Sequence, residues 1–463
     1  MSEPTPPTRR DFVKTTAAAA LTAAAANAVI TRTAHAAGDD TIKIGLVGCG
    51  GRGSGACTQA MSTKGAIKLI AIGDAFEDNA KTALDAFKRS HPDRVDVKDD
   101  HIFVGFDAYK QVIDSGVDLV ILATPPGFRP IHFEYAVQKG KHVFMEKPVS
   151  TDAPGIRRVL AAAEEAKKKN LKVAVGLQRH HQARYIETIK RIWDGEIGDV
   201  RALRVYWNGT TPWVRTRAHY LQSNPKLTEM EYQMRNWYFF VWLCGDHINE
   251  QHIHNLDVAN WIMKGPPVKA QGQGGRQVRT GLDNGEIYDH HFVEFTYADG
   301  TTCQSQCRHM DPPVWGQVAE YVHGTKAWSN VGGATFNGYG TDSKQLWSYT
   351  MPGSTAAAPA GGARRGGRGV REPDPYQVEH DDFFAAVRAD KPYSEAEYGA
   401  TSTMTALLGR MCTYSGQEIK FKDALNSNVS VMPKVFAWDA PPPTVPDAEG
   451  RYPIPMPGKT KVL

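Results

Sequence analysis

Three histidines and three acids fall within the seventeen residues from Gly245 to Trp261, GDHINEQHIHNLDVANW. Imidazole titrates near neutral pH and also ligates metals, so such a run can move protons, hold an ion or knit a polar helix into its surroundings. On one continuous helix, at about 100° per residue, His247, Glu250, His254 and Asp257 share a face. His252 then turns toward the face of Ile248, Leu256 and Ala259 and reads as a packed core histidine. Three readings stand for the shared face. His247, Glu250 and His254 could form a two-histidine, one-carboxylate metal site, although one helix face strains to bring three ligands to a single ion. The acids and histidines could instead satisfy one another at a domain junction. Or Glu250 and His254, four residues apart, could form an acid–base pair.

A second group of residues has the chemistry of a nucleotide site. The apolar run Ile42 to Val47 reads as a buried parallel strand and leads into Gly48-Cys49-Gly50-Gly51-Arg52-Gly53, a G-x-G-x-x-G pattern. Glycines there permit a tight turn and let backbone N–H groups approach a pyrophosphate at a helix N-terminus. A second strand, IKLIAIGDAF, ends at Asp74, 21 residues beyond Gly53. An acid in that place accepts hydrogen bonds from a ribose and repels a 2′-phosphate, favouring NAD over NADP, with Arg52 as a residue that could soften the preference. The bland alternative is a glycine turn in an α/β domain without nucleotide; strand, loop and acid in sequence weigh against it.

Alternating strands and helices must position these groups. VDLVILATPP is a further buried strand, IHFEYAVQKG a helix stopped by Gly140, and KHVFMEKPVS a strand with Glu146-Lys147-Pro148 at its carboxyl end. Ligands of open α/β sheets sit at that end. Lys147 is there either a charged hydrogen-bond donor and proton relay or a surface lysine capping a strand. After a helix from Ile156 to Lys169, KVAVGLQRHHQARY runs from strand into a polar cluster with Arg179 and His181, which could line a cleft or form a solvated helix start. Between Trp207 and Trp242 lie nine aromatic residues, Trp237 among them. Rings interleaved with arginines suit a carbohydrate, while core and interface packing accounts for most of them. YDHHFVEFTYADGTTCQSQCRH predicts a hairpin turning at Asp299-Gly300, with His290 and His291 on opposite faces.

The domain division that follows is a leader over 1–36, a nucleotide domain over 40–170 and a substrate domain over 171–425. Within the latter, 353–375 is a low-complexity flexible loop, and an extended Pro-rich tail over 426–463 lacks the makings of a core. The leader carries a twin-arginine pattern, TRRDFVK, an alanine-rich run from Thr15 to Ile30, and AHA (Ala34 to Ala36) as small residues for cleavage. It predicts passage through the twin-arginine export machinery to the periplasm or beyond, with no stable membrane span once removed; left uncleaved, it could anchor. Of the net charge of +4, half belongs to these first residues, and the weak remainder excludes nucleic acid as a partner. The six cysteines form no readable disulfide framework and are expected to be structural thiols.

Together GLVGCGGRG, ATPPGFRPIH, GKHVFMEKP and the His-x-x-Asp of HNLD resemble the Gfo/Idh/MocA (glucose-fructose oxidoreductase/inositol dehydrogenase) family over the span from Ile42 to Lys422. The resemblance implies an α/β protein: an N-terminal Rossmann doubly wound parallel sheet, then a C-terminal α/β domain whose open, mixed, largely antiparallel sheet floors a substrate pocket. It implies nicotinamide chemistry, with NAD as cofactor and NADP possible, on a small-molecule sugar or polyol, in a homo-oligomer. Cofactor contacts would come from Gly48, Gly50, Gly51, Arg52, Gly53, Asp74, Thr124, Pro125, His132, Glu146 and Lys147, and substrate contacts from Arg179, His181 and Trp237. No resident metal is implied. The family places Asp-x-x-x-His on the helix facing the nicotinamide, so His254 would accept a hydroxyl proton and Lys147 would polarise the developing alkoxide. Glu250 stands where the family usually has Asp, which leaves open whether it orients His254 or binds a hydroxyl.

Leader and cofactor constrain each other. An exported dehydrogenase finds no free nicotinamide pool, so NAD would travel tightly bound and the chemistry would be redox-neutral over a cycle. One sugar could be oxidised while another is reduced, or transient oxidation could acidify a C–H for elimination, epimerisation or glycosidic cleavage. The alternative class is an exported carbohydrate-binding protein on a Rossmann frame without turnover.

Overall fold

A computed structural model describes residues 40–341, 343–352 and 372–463. The twin-arginine leader and nearly all of the 353–375 loop lie outside these residues. Six parallel strands, β1 (Ile42–Val47), β2 (Ile67–Asp74), β3 (Ile102–Val104), β4 (Leu119–Leu122), β5 (His142–Met145) and β6 (Val173–Val175), form one sheet in the order β3-β2-β1-β4-β5-β6. Helices cover both faces, and this is why β4 reads as an unbroken apolar run and β1 and β5, apart from Lys43 and His142, as nearly unbroken ones. Ile44, Leu46, Leu119, Val120, Ile121 and Leu122 are all sealed from solvent, each contributing about 1.5–3 kcal/mol by the usual burial scale. The order reverses between β1 and β4, opening a crevice at the strands' carboxyl ends. Because β6 belongs to this sheet, the parallel layer runs to Val175, past the boundary at 170 drawn from sequence.

The second sheet has nine strands: β7 (Val200–Gly209), β8 (Lys269–Gly275), β9 (His290–Thr296), β10 (Thr302–His309), β11 (Gln317–Gly324), β12 (Trp328–Asn330), β13 (Thr335–Asn337), β14 (Gln345–Ser348) and β15 (Ile419–Lys420). Their order is β14-β13-β12-β11-β7-β10-β9-β8-β15, antiparallel except for β7 with β10. The expected hairpin is present: β9 and β10 pair through Asp299-Gly300, with Gly300 at φ +85°. Burial alternates along both strands, so His291, Val293 and Phe295 with Cys303, Ser305, Cys307 and His309 face inward, and His290 faces out. The helices Ile253–Met263 and Ala396–Ser415 cover that inner face.

The chain returns twice to places its sequence does not advertise. The helix Pro375–Arg388 packs on the helix after β1, and Phe383 and Phe384 join the core of the parallel layer. The Pro-rich tail also contributes core. Tyr452 is buried beside Phe240, with its hydroxyl in contact with Glu229 and accepting from Arg217, and Trp438 packs on Phe76 and Phe106. A tyrosine or tryptophan every dozen residues suffices to pin an extended chain, even where Pro forbids regular structure. All six cysteines are buried free thiols. No helix among the described residues is long and apolar enough to cross a membrane.

Candidate active site

The glycine loop has the shape a pyrophosphate cradle needs. Gly48 stands at φ +94°, and a Cβ there would lie 2.6 Å from Ala123 C and Thr124 N. A Cβ on Gly53 would lie 1.9 Å from Gly48 O, so the third glycine is required for the helix Gly51–Met61 to sit against β1. Gly50 and Gly51, by contrast, face open space within 4 Å of where their Cβ atoms would be. The helix has no side-chain cap, leaving its first backbone N–H groups for an anion. Asp74 ends β2. Its Oδ2 accepts from Cys49 N at 2.7 Å, and its Oδ1 accepts from Phe76 N at 2.9 Å and Asn79 Nδ2 at 3.2 Å. Burial raises its pKa, against those hydrogen bonds. These residues fit a dinucleotide with a free ribose hydroxyl.

Arg52 does not serve as a 2′-phosphate ligand beside Asp74. Its Nε is 2.6 Å from Glu146 Oε1, its Nη2 donates to Gln59 Oε1 at 2.7 Å, and its guanidinium lies 4.8 Å from the Tyr376 ring centre. Its side chain is thus engaged by Glu146, Gln59 and Tyr376. Glu146 is buried against Gly176, where a Cβ would come within 2.7 Å of its Oε2. Thr124 and Pro125 follow β4 at the same edge. Thr124 Oγ1 is 3.3 Å from His132 Nδ1, and the His132 ring stacks on Tyr109 at 4.0 Å and lies 5.8 Å from Phe128. Burial, then the charges of Arg129 and Arg158, lowers the His132 pKa to about 3. It is a packed neutral ring behind the loop.

Lys147 leaves the end of β5 and meets the opening stretch. Its Nζ donates to Glu250 O at 2.6 Å and to Glu250 Oε1 at 3.1 Å, while Tyr238 OH donates to Glu250 Oε2 at 2.7 Å. Glu250 therefore holds Lys147; no hydrogen bond joins it to His254. His254 is buried, and its Nδ1 has no hydrogen-bond partner. Its ring lies 5.9 Å from that of Trp207 on β7. Burial, then the positive charges of Lys147, Arg179 and Arg52, drives its pKa well below the usual imidazole range. A neutral, unpartnered imidazole beside a lysine is a competent proton acceptor.

The opening stretch is two helices rather than one. Gly245 and Asp246 both adopt positive φ, +76° and +73°, and Asp246 Oδ1 accepts from His247 N to start the turn His247–Glu250. Gln251 and His252 keep right-handed helical angles but interrupt the helix, with His252 N bonded to His247 O at 3.2 Å, and Ile253–Met263 begins anew. His254 thus lies in the second helix, while His247 and Glu250 share the first turn and meet different neighbours. His247 packs against His291 and His309, not with Glu250 and His254, so the metal set expected from periodicity does not assemble. Among the described residues the one group with metal-ligand proximity is Asp246, His247 and His291. His252 is the core histidine expected, with Nε2 2.8 Å from Ser305 Oγ. Asp257 binds His180 Nε2 at 2.8 Å and accepts from Ser402.

The three expected substrate contacts differ among themselves. Arg179 is paired with Glu320, which Tyr185 OH and Asn255 Nδ2 also contact. His181 bridges Asp382 at 2.8 Å and Glu395 at 3.1 Å; burial lowers its pKa, but those carboxylates outweigh it and the net shift is upward. Trp237 is half-buried, its ring 5.2 Å from Tyr238 and 5.9 Å from Trp213, and so belongs to a ring wall that adjoins Glu250 through Tyr238. Tyr238 and Trp207 are the site residues that sequence reasoning did not single out. Nothing in their spacing separates them from the other seven rings of the aromatic run.

Glycine cradle, ribose acid and a lysine–histidine pair at one sheet edge define a dinucleotide-dependent, two-domain protein. The model of the "Oxidoreductase family, NAD-binding Rossmann fold" (GFO_IDH_MocA) matches residues 42–176, and the "GFO/IDH/MocA C-terminal domain" matches 185–329. With both domains matched over more than half its length, the chain belongs to the Gfo/Idh/MocA oxidoreductase family, and its N-terminal layer is an NAD-binding Rossmann domain. It is 24% identical over 260 residues to an inositol 2-dehydrogenase of Rhizobium meliloti, covering 56% of this chain and 66% of that one. An inositol 2-dehydrogenase of Acidiphilium cryptum is 27% identical over 239 residues, 52% of this chain and 59% of the other. The chain thus spans somewhat under two-thirds of the curated relatives it matches. Among solved structures the fold is similar to that of levoglucosan dehydrogenase with NADH and levoglucosan (TM-score 0.62, 16% identity, 82% of this chain and 100% of that one). It is also similar to the aldose-aldose oxidoreductase of Caulobacter crescentus with glycerol (0.59, 18%, 82% and 99%).

Proposed function

We propose that the protein is a NAD-dependent oxidoreductase acting at a hydroxyl-bearing carbon of a sugar, glycoside or related polyol. The observation that carries this reading is His254, neutral and without a partner, beside a lysine at the same sheet edge as the glycine loop. Bound at that loop, NAD supplies a two-electron acceptor. His254 takes the hydroxyl proton as the carbon is oxidised and returns it on reduction. Lys147 has three N–H donors, of which Glu250 engages two, so one remains for the oxygen on which negative charge develops. Glu250 is a positioning residue, itself fixed by Tyr238. The ring wall of Trp213, Trp237 and Tyr238, and Trp207 beside His254, offer flat faces to the C–H surfaces of a sugar. Relatives named for inositol and a neighbour holding levoglucosan favour the same substrate class.

The leader motif TRRDFVK and the AHA site support export by the twin-arginine route. Export in folded form favours tightly held NAD and a redox-neutral cycle, either between two sugars or by transient oxidation with elimination or cleavage. The test uses purified protein, myo-inositol, glucose and levoglucosan, and the nicotinamide absorbance as readout. Lys147→Ala should cut the rate by about 10²–10⁴-fold while nucleotide content stays unchanged. A variant that turns over like the wild type would overturn the assignment of Lys147.

A further inference from the structure

Behind the break in the opening stretch lies a second polar cluster, which the proposed chemistry does not use. Asp246, His247 and His291 are wholly buried, and their ligand atoms lie within 4.8 Å of one another. His291 turns one nitrogen away from the cluster and one into it. Its Nδ1 is 2.9 Å from Thr413 Oγ1, which also lies 3.0 Å from Arg410 O. With Thr413 donating to Arg410 O, Nδ1 carries the imidazole proton and Nε2 is free to act as a lone-pair donor to a cation. That Nε2 stands 3.3 Å from Asp246 Oδ2 without a hydrogen bond.

His247 repeats the pattern. Its Nδ1 stands 2.8 Å from Asp246 Oδ1 but out of line for a hydrogen bond, and its Nε2 has no partner either. Asp246 already accepts from His247 N and Tyr288 N and from Tyr414 OH, so its carboxylate is held in place by three donors. Three buried imidazole nitrogens, His247 Nδ1 and Nε2 and His291 Nε2, are left without hydrogen-bond partners around that carboxylate, a desolvation cost that a cation among them would offset. His309 is not a fourth donor. Its Nδ1 faces Arg279 Nη1 at 3.3 Å and its Nε2 faces Gln251 Oε1 at 2.7 Å, so both nitrogens are engaged. The outer nitrogen of His291 bonded to Thr413 is the arrangement by which proteins orient a metal-binding imidazole.

We propose that Asp246, His247 and His291 hold one first-row divalent metal ion, Zn²⁺ by the class of their donors. The ion would tie the first residue of the turn His247–Glu250 to β9 of the sheet, and so fix the turn whose last residue holds Lys147. It is a structural ion: no ligand side chain contacts Lys147, Glu250 or His254, and Asp246 reaches Glu250 only through the backbone hydrogen bond of the turn, Glu250 N to Asp246 O at 2.9 Å.

Metal content decides the matter without any assay of turnover. Protein purified without a histidine tag is analysed for manganese, iron, cobalt, nickel, copper and zinc by mass spectrometry. About one equivalent of a single metal per chain is expected. His291→Gln and Asp246→Asn should each reduce it at least tenfold, and Lys147→Ala should retain it. Should the two ligand variants fail to fold, the wild type is unfolded in denaturant with chelator and refolded with or without added Zn²⁺. A higher melting temperature with Zn²⁺ supports the site. Wild-type protein with less than about a tenth of an equivalent of every metal, and no response to Zn²⁺ on refolding, would overturn it.

Discussion

The two halves of the opening stretch use the same residue types for opposite purposes. At its start, Asp246 and His247 are sealed against β9. Further along, Glu250, the last residue of the same turn, binds Lys147 at the edge of the parallel sheet, and His254 in the following helix keeps a nitrogen unpartnered. The residues are neighbours in sequence, yet His247 and Glu250 leave one short turn toward different partners. Composition and spacing therefore locate polar chemistry without dividing it into sites. The division belongs to the backbone.

The sharpest way to break this contrast is to neutralise the open side. His254→Asn should lower turnover by about 10²–10⁴-fold and leave the melting temperature nearly unchanged, because the wild-type ring makes no hydrogen bond that the protein would lose. The wild-type pH profile carries a second check. With its pKa depressed, His254 stays neutral well below the ordinary imidazole range, so kcat/KM should hold as pH falls through 6.5. An acid limb centred at 6.5 or above, abolished in the variant, would contradict a buried neutral base.

A smaller effect is expected from histidines sealed elsewhere. His132 and His380 have pKa values lowered to about 3, chiefly by burial, from 6.5. Between those values the unfolded chain binds protons that the folded chain does not, so stability falls as pH drops from about 6.5 toward 3. Each such histidine can cost up to about 1.4 kcal/mol per pH unit in that window. Melting curves of wild type and His132→Phe from pH 7 to pH 4 would show it as a shallower decline in the variant. Equal slopes would mean that His132 is not a sealed neutral ring.

The smallest effect sharpens the role of Glu250. Tyr238→Phe removes one donor to Glu250 Oε2 and should slow turnover by about threefold to tenfold, the value of one ordinary hydrogen bond acting through a positioning residue. A loss as large as that of His254→Asn would instead make Tyr238 a catalytic group.

How much of this was readable beforehand follows from the range of the interactions. The glycine loop, Asp74 and Lys147 are set by local rules, since strand, turn and helix of one β-α unit impose fixed spacings. The alternation that turns His291 inward and His290 outward is equally local. The interruption at Gln251 and His252 is not, for Gln251 is held through its side chain by His309, 58 residues away. Tyr238 likewise gains meaning only from Glu250, and Tyr452 of the tail from Arg217 and Glu229. Arg52 could be placed in the loop from sequence, but its direction is set by Glu146 and Tyr376. Long-range partners decide which polar residues become a site.

The most direct test of the central claim is to denature the purified protein and identify released nucleotide by mass. The account predicts about one equivalent of NAD per chain, retained through purification by the glycine cradle and Asp74. Protein that releases no nucleotide and also fails to bind added NAD would contradict it.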